Sequence, residues 1–172
     1  MRRIAISASS AAALVVLALA TVMSATCGEA DSAMPDPQPC PPAPTLVPQR
    51  FDRLGPYRQA IGRGVAQVDR LTQEFRLQYP DGKFYRSSSF RADFAAYADT
   101  TVCIAQGLKA LELPPELAGT QAAFDRELDS LIAHQAAGRE AVRTRNVSEY
   151  RAWYANIDAK VASLRRASTF AP

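Results

Sequence analysis

Three cysteines and one histidine are the side chains of this 172-residue chain best suited to bind a metal or attack a substrate, and their spacing restricts both roles. Cys27, Cys40 and Cys103 form no C-x-x-C pair, and two cysteines with His134 fall short of the four ligands of a usual zinc site. A c-type haem needs C-x-x-C-H, which is missing, and Met34 is the one methionine after the N-terminal segment that could serve as an axial ligand. No Glu stands three residues before His134, so the paired Glu-x-x-His pattern of di-iron bundles is not formed. G-x-S-x-G is also missing, and Ser87, Ser88 and Ser89 read as a loop and helix cap. Asp125 and Asp129 could in principle act as paired carboxylates, but helical spacing puts them on an outer face. The expectation is a protein with no catalytic activity, no metal and no cofactor, in which His134 is a surface or seam-edge residue.

Those few residues must be positioned by something, and the N-terminus says where that happens. Met1, Arg2 and Arg3 form a positive start, residues 11–23 an apolar run, and Ser24, Ala25 and Thr26 lead into Cys27. This is the pattern of an export signal over 1–26. Met23-Ser24-Ala25-Thr26-Cys27-Gly28 resembles the lipobox of bacterial lipoproteins. The resemblance implies that Cys27 is acylated, becomes the first residue of the mature protein and holds it to the membrane. The same residues fit a secretory signal cleaved after Ala25 or Ala30, or an uncleaved anchor. Each reading puts the remainder outside the cytoplasm.

An oxidising compartment changes the meaning of the other two cysteines. With Cys27 acylated or removed, Cys40 and Cys103 are an even pair and are expected to form a disulfide. Closing that loop stabilises the fold by roughly 4 kcal/mol on chain-entropy grounds. The alternative is a linker thiol at Cys40 and a small buried hydrophobe at Cys103.

Charge narrows the partners. Taking Arg2 and Arg3 from the 20 basic residues leaves 18 against 17 acidic ones, interspersed along the chain, which argues against nucleic acid. From Asp31 to Pro48 seven prolines remove backbone donors and favour extended chain, so residues 27–55 read as a spacer. Thirteen steps from Cys27 to Cys40 span about 40 Å at ~3.1 Å each.

Four helices account for 56–168. The first opens at Pro56 and carries Tyr57, Ile61, Val65, Val68, Leu71 or Thr72, Phe75 and Tyr79 at alternating spacings of three and four. Gly62 and Gly64 allow a kink, a close helix crossing or a late start. The second follows a cap at Ser88 or Ser89 and shows Phe90, Phe94, Tyr97, Thr101, Ile104, Leu108 and Leu111. The third starts near Glu116 after Pro114-Pro115, with Leu117, Gln121, Phe124, Leu128, Leu131, Gln135, Gly138 and Val142. Gln121 and Gln135 are expected at the edge of that seam, as register-fixing residues, or facing a polar pocket. Arg139, Arg143 and Arg145 suit the helix's terminal carbonyls. Asn146 with Glu149 forms a capping-box-like start for the fourth, seamed by Val147, Tyr150, Tyr154, Ile157, Val161 and Leu164. Short connections favour antiparallel neighbours, so the expected fold is an all-α, antiparallel up-down-up-down four-helix bundle. The proline-rich lead, the helix lengths and the L-x-L-P-P-E-L connection are similar to those of small exported helical proteins of actinobacteria.

The connection from Tyr79 to Arg91 brings Phe84, Tyr85, Arg86 and Arg91 to one end of the bundle, a mixture of aromatics and cations enriched in binding surfaces. Its structural alternative is that Phe84 and Tyr85 fold down to plug the core. The resulting expectation is a non-catalytic binding or interaction module at the cell envelope, tethered through lipid on Cys27 and contacting another envelope protein or a cell-wall component. The alternative is an extracytoplasmic small-ligand binding or sensor accessory protein with a pocket among Tyr57, Tyr97, Tyr150, Trp153 and Tyr154.

Overall fold

The computed structural model describes residues 33–43, 45–47, 52–80 and 87–169. Among these the regular structure is entirely helical and forms an all-α four-helix bundle.

Helix α1 (Gly55–Gln78) begins where Asp52 Oδ1 accepts the Gly55 amide at 2.7 Å, with Pro56 in the first turn, where its missing N–H costs nothing. Thr72, rather than Leu71, takes the inward position at the middle of its seam. The helix passes through Gly62 and Gly64 unbroken. Of the three options for these glycines, Gly64 marks a close crossing: a Cβ there would lie 2.9 Å from both δ-methyls of Leu108. Helix α2 (Ser88–Lys109) is capped by Ser87, whose Oγ accepts the Phe90 amide at 3.0 Å. The cap thus sits one residue earlier than Ser88, because Ser87 is the residue with extended backbone.

After Pro114 a 3₁₀ turn, Pro115–Leu117, leads into helix α3 (Ala118–Arg143). The α-helix therefore starts two residues later than Glu116, since the Leu117 amide is taken by Pro114 O at 2.9 Å in the tighter turn. Beyond its end Arg145 adopts φ 57°, in the left-handed region usually held by glycine. This lets the Asn146 amide return to Ala141 O at 2.8 Å. Asn146 then turns to the next element, helix α4 (Val147–Ser168), its Oδ1 accepting the Glu149 amide at 3.3 Å. One residue closes one helix and opens the next.

The helices form a ring in which α1 adjoins α2 and α4, and α3 adjoins α2 and α4. Side-chain pairs show the direction of each neighbour. Gly64 faces Leu108 while Thr72 faces Tyr97, and Lys109 pairs with Asp129 while Tyr97 meets Gln135. Ser130 binds Lys160 while His134 reaches Trp153, and Asp69 pairs with Arg165 while Arg76 pairs with Asp158. In every pair of helices the number falls on one as it rises on the other, as antiparallel packing requires.

The core is divided by residue type. Phe75 and Tyr79 of α1, Phe90, Phe94 and Tyr97 of α2, and Tyr150 and Trp153 of α4 pack together at one end. Phe75 stacks on Tyr97 at 4.6 Å between centroids, and Phe94 meets Trp153 edge-on at 4.8 Å. Helix α3 supplies Gly138 here, whose missing side chain makes room for the Trp153 ring. Towards the other end the core is mainly aliphatic, with Ile61, Val65, Leu108, Leu128 and Leu164 beside Phe124.

Two seam expectations need correction. Trp153 is in the core, and Tyr154 is at its flank with Arg76 over its ring at 4.6 Å. Gln135 is not at an edge: it is 0% exposed and donates through Nε2 to the Tyr97 hydroxyl at 3.2 Å. The same hydroxyl lies 3.0 Å from Thr72 Oγ1, so three helices share one buried polar contact. Burial raises the pKa of the Tyr97 phenol, and its hydrogen bonds with Thr72 and Gln135 partly oppose this.

Candidate functional site

The proline-rich stretch does more than space the bundle. Prolines prevent it from pairing as a strand or helix, yet side chains and one covalent bond tie it down. Cys40 is joined to Cys103 of α2, with Cα atoms 5.1 Å apart. Arg139 reaches from α3 to Asp99 of α2 at 2.5 Å and also donates to the carbonyl of Pro35. The Gln38 amide approaches the other Asp99 oxygen at 3.4 Å. Met34 and Leu46 are half-buried against the core. The expected spacer is therefore, from Ala33 to Ala43, an arm lying against the bundle. Arg139 likewise departs from the expected helix-end role, since the Asp99 carboxylate on the neighbouring helix is its partner, with side-chain exposures of 17% and 14%. Arg143 pairs with Glu140 on its own helix, which holds the Glu140 carboxyl below its usual range.

Between the arm and the outer faces of α1 and α2 lies an open groove of about 650 Å³. Its floor is Ala60, Gly64, Ala96, Ile104, Leu108 and Leu111, and Pro41, Pro42 and Ala43 form a wall. Gly64 brings α1 close to Leu108 at the groove's base. Gly107 also lines it, and a Cβ on Gly107 would meet nothing within 4 Å. Arg63 and Gln67 supply polar groups from α1, and Asp99 and Thr100 from α2.

Two other depressions differ in chemistry. Between α1 and α4, Asp69–Arg165 at 2.5 Å and Arg76–Asp158 cross a groove of about 730 Å³, and the exposed Leu77 lies at its margin. Its charges are already matched. Tyr154 closes one end, donating to the carbonyl of Pro80 at 2.7 Å. Between α3 and α4, His134 stacks on Trp153 at 5.7 Å and meets the Trp153 carbonyl through Nε2 at 3.1 Å. Burial lowers the His134 pKa; the Trp153 carbonyl opposes this and Lys160 adds to it.

Of the residues singled out from sequence, Cys40 and Cys103 are brought together. Arg91 is on α2 but only 8% exposed, so its side chain is packed into the bundle and is not displayed as the surface reading required. Phe84, Tyr85, Arg86 and Cys27 lie outside the described residues. Of the five aromatics considered as a pocket, Tyr97, Tyr150, Trp153 and Tyr154 come together but pack ring against ring at the aromatic end, while Tyr57 is apart from them, beside Ala110 and Glu112 beyond the aliphatic part. Gln121 is half-buried on α3. Among the described residues no three His, Cys, Asp or Glu side chains gather as a metal site, and no helix is long and apolar enough to cross a membrane.

Asp129 is engaged by Lys109 at 2.5 Å on the surface. The groove under the arm was missed from sequence because it depends on a docked linker; Met34, Leu46 and the predicted disulfide were its available signals. Comparison with protein-family models, curated proteins and solved structures finds no match.

Proposed function

We propose that this chain is a non-catalytic binding module of the bacterial cell envelope, exported and held at the membrane through lipid on Cys27. The observation carrying the binding part of this reading is the groove beneath the stapled arm, a concave apolar surface with sparse polar groups, as ligand-binding surfaces commonly are. The rings of the core are used up in packing against one another, which leaves the outer grooves as contact surfaces. The envelope part rests on the resemblance at Cys27 and on the Cys40–Cys103 bridge, a bond suited to an oxidising compartment.

A second reading, an extracytoplasmic small-ligand carrier or sensor accessory, is favoured by the groove's volume, which lies within the roughly 300–1,000 Å³ of small-molecule sites. Intact mass spectrometry of protein drawn from its own envelope tests both. A chain starting at an acylated Cys27 supports the anchored module, and an unmodified chain with another start refutes it. A small-molecule mass lost on denaturation favours the carrier.

A further inference from the structure

We infer that the groove under the arm binds a single alkyl chain bearing an anionic head, with the head at Arg63; this rests on the small-ligand reading above. Shape is the first argument. The α2 lining runs from Ala96 to Leu108, which at 1.5 Å rise per residue is about 18 Å, and Leu111 extends it just past the helix end. One bilayer leaflet gives its acyl chains about 15 Å, half of a 30 Å hydrocarbon core. The groove is thus long enough for one such chain lying along α2.

Hydrogen-bond capacity separates an alkyl chain from a peptide. An extended peptide brings an amide donor and a carbonyl acceptor at nearly every residue, and each needs a partner when covered. The groove answers few of them. Pro41 and Pro42 have no N–H, the floor is helix whose backbone is paired internally, and the Gln38 amide already faces Asp99. An alkyl chain asks for no partner and gains by leaving water.

Charge then orients the ligand. Arg63 is the one cation among the groove's lining residues and makes no ion pair among the described residues. Asp99, the one acid of the lining, is matched by Arg139. Because Gly64 faces Leu108, Arg63 is placed toward the Leu111 end and Asp99 toward the Ala96 end. A carboxylate at Arg63 would send its chain across Leu108, Gly107 and Ile104 toward Thr100.

The test is titration calorimetry of palmitate, below its micelle concentration, into the oxidised full chain. Saturable binding of one palmitate per chain is expected. Gly107→Leu projects a side chain into the groove from a helical position where nothing obstructs it, so it should fold with an undiminished Tm yet bind at least tenfold more weakly. Arg63→Ala should weaken palmitate about fivefold or more and leave uncharged hexadecanol unchanged, and Arg63→Lys should restore most of the loss. Wild-type affinity in Gly107→Leu, or no saturable binding by the native chain, overturns the assignment. Native mass spectrometry separates the two levels: a co-purifying ligand that palmitate does not displace sinks the alkyl-chain assignment alone, whereas no ligand and no palmitate binding sinks the carrier reading with it.

Discussion

A Cβ placed on Gly138 of α3 would lie 2.6 Å from Cδ1 and Nε1 of the Trp153 indole on α4. The indole is held in turn by Phe94, Tyr97 and Tyr150, so it has little room to retreat. Gly138→Ala adds about 1 kcal/mol of helix propensity but forces an overpacked core, which costs about 1–3 kcal/mol. With the ring boxed in, a net loss of about 1–2 kcal/mol is expected in urea unfolding. Gly62→Ala is the matched control, because a Cβ there meets nothing within 4 Å; it should gain up to about 1 kcal/mol. Equal effects at the two sites would show that the Trp153 contact is not limiting.

The disulfide closes a sequence separation of 63 residues and holds the arm that walls the groove. Replacing both partners, Cys40→Ser with Cys103→Ser, should lower unfolding free energy by about 4 kcal/mol on the chain-entropy account. It should also expose the arm between Ala33 and Ala43 to limited proteolysis while the helices stay resistant. If the arm remains protected in the double variant, Arg139 and the half-buried Met34 and Leu46 hold it without the bond.

Much of this architecture was legible from spacing. A three-four rhythm reports which side of a helix faces inward, and the inward residues of α1, α2 and α3 follow it closely. Spacing alone did not choose Trp153 over Tyr154, since both lie within one turn of Tyr150 and Ile157; the space at Gly138 on the facing helix selects Trp153. Arg139 and Asp99 are 40 residues apart, and periodicity carries no information about a partner on another helix. Arg91 follows the same logic, being buried despite a charge that marks a surface residue in a one-dimensional reading. The proline-rich arm shows the largest difference. Proline content correctly excludes a helix or strand but does not exclude docking, which here depends on a disulfide, a guanidinium and two apolar side chains.

The buried contact linking Tyr97, Thr72 and Gln135 can be apportioned by a double-mutant cycle. Tyr97→Phe removes the acceptor for Gln135 Nε2 inside the core, where Gln135 Oε1 already has no hydrogen-bond partner among the described residues. A loss of about 1–3 kcal/mol is expected. Gln135→Met should cost less than about 1.5 kcal/mol, because it removes an incompletely satisfied amide and leaves Tyr97 its Thr72 contact. Adding Gln135→Met to Tyr97→Phe should then recover part of the loss, with a coupling of about 0.5–3 kcal/mol. Strict additivity would mean that the two residues act independently despite their contact.

His134 provides a pH-dependent readout of the α3–α4 contact. Its pKa is lowered from the usual 6.5, chiefly by burial, so the folded protein favours the neutral imidazole more than the unfolded chain does. Between the lowered folded value and about 6.5 the unfolded state binds more protons, and stability must rise with pH across that window. The contribution is complete above the unfolded value and is lost as pH falls through the folded one. Lys160, Glu140 and Glu149 line the same depression, with Lys160 disfavouring the imidazolium. Thermal unfolding at pH 7.5 and pH 5 should therefore show a larger drop in Tm for the native chain than for His134→Gln, which retains polarity without titrating. An equal drop in both would remove His134 as the source and assign the acid sensitivity to the carboxylates.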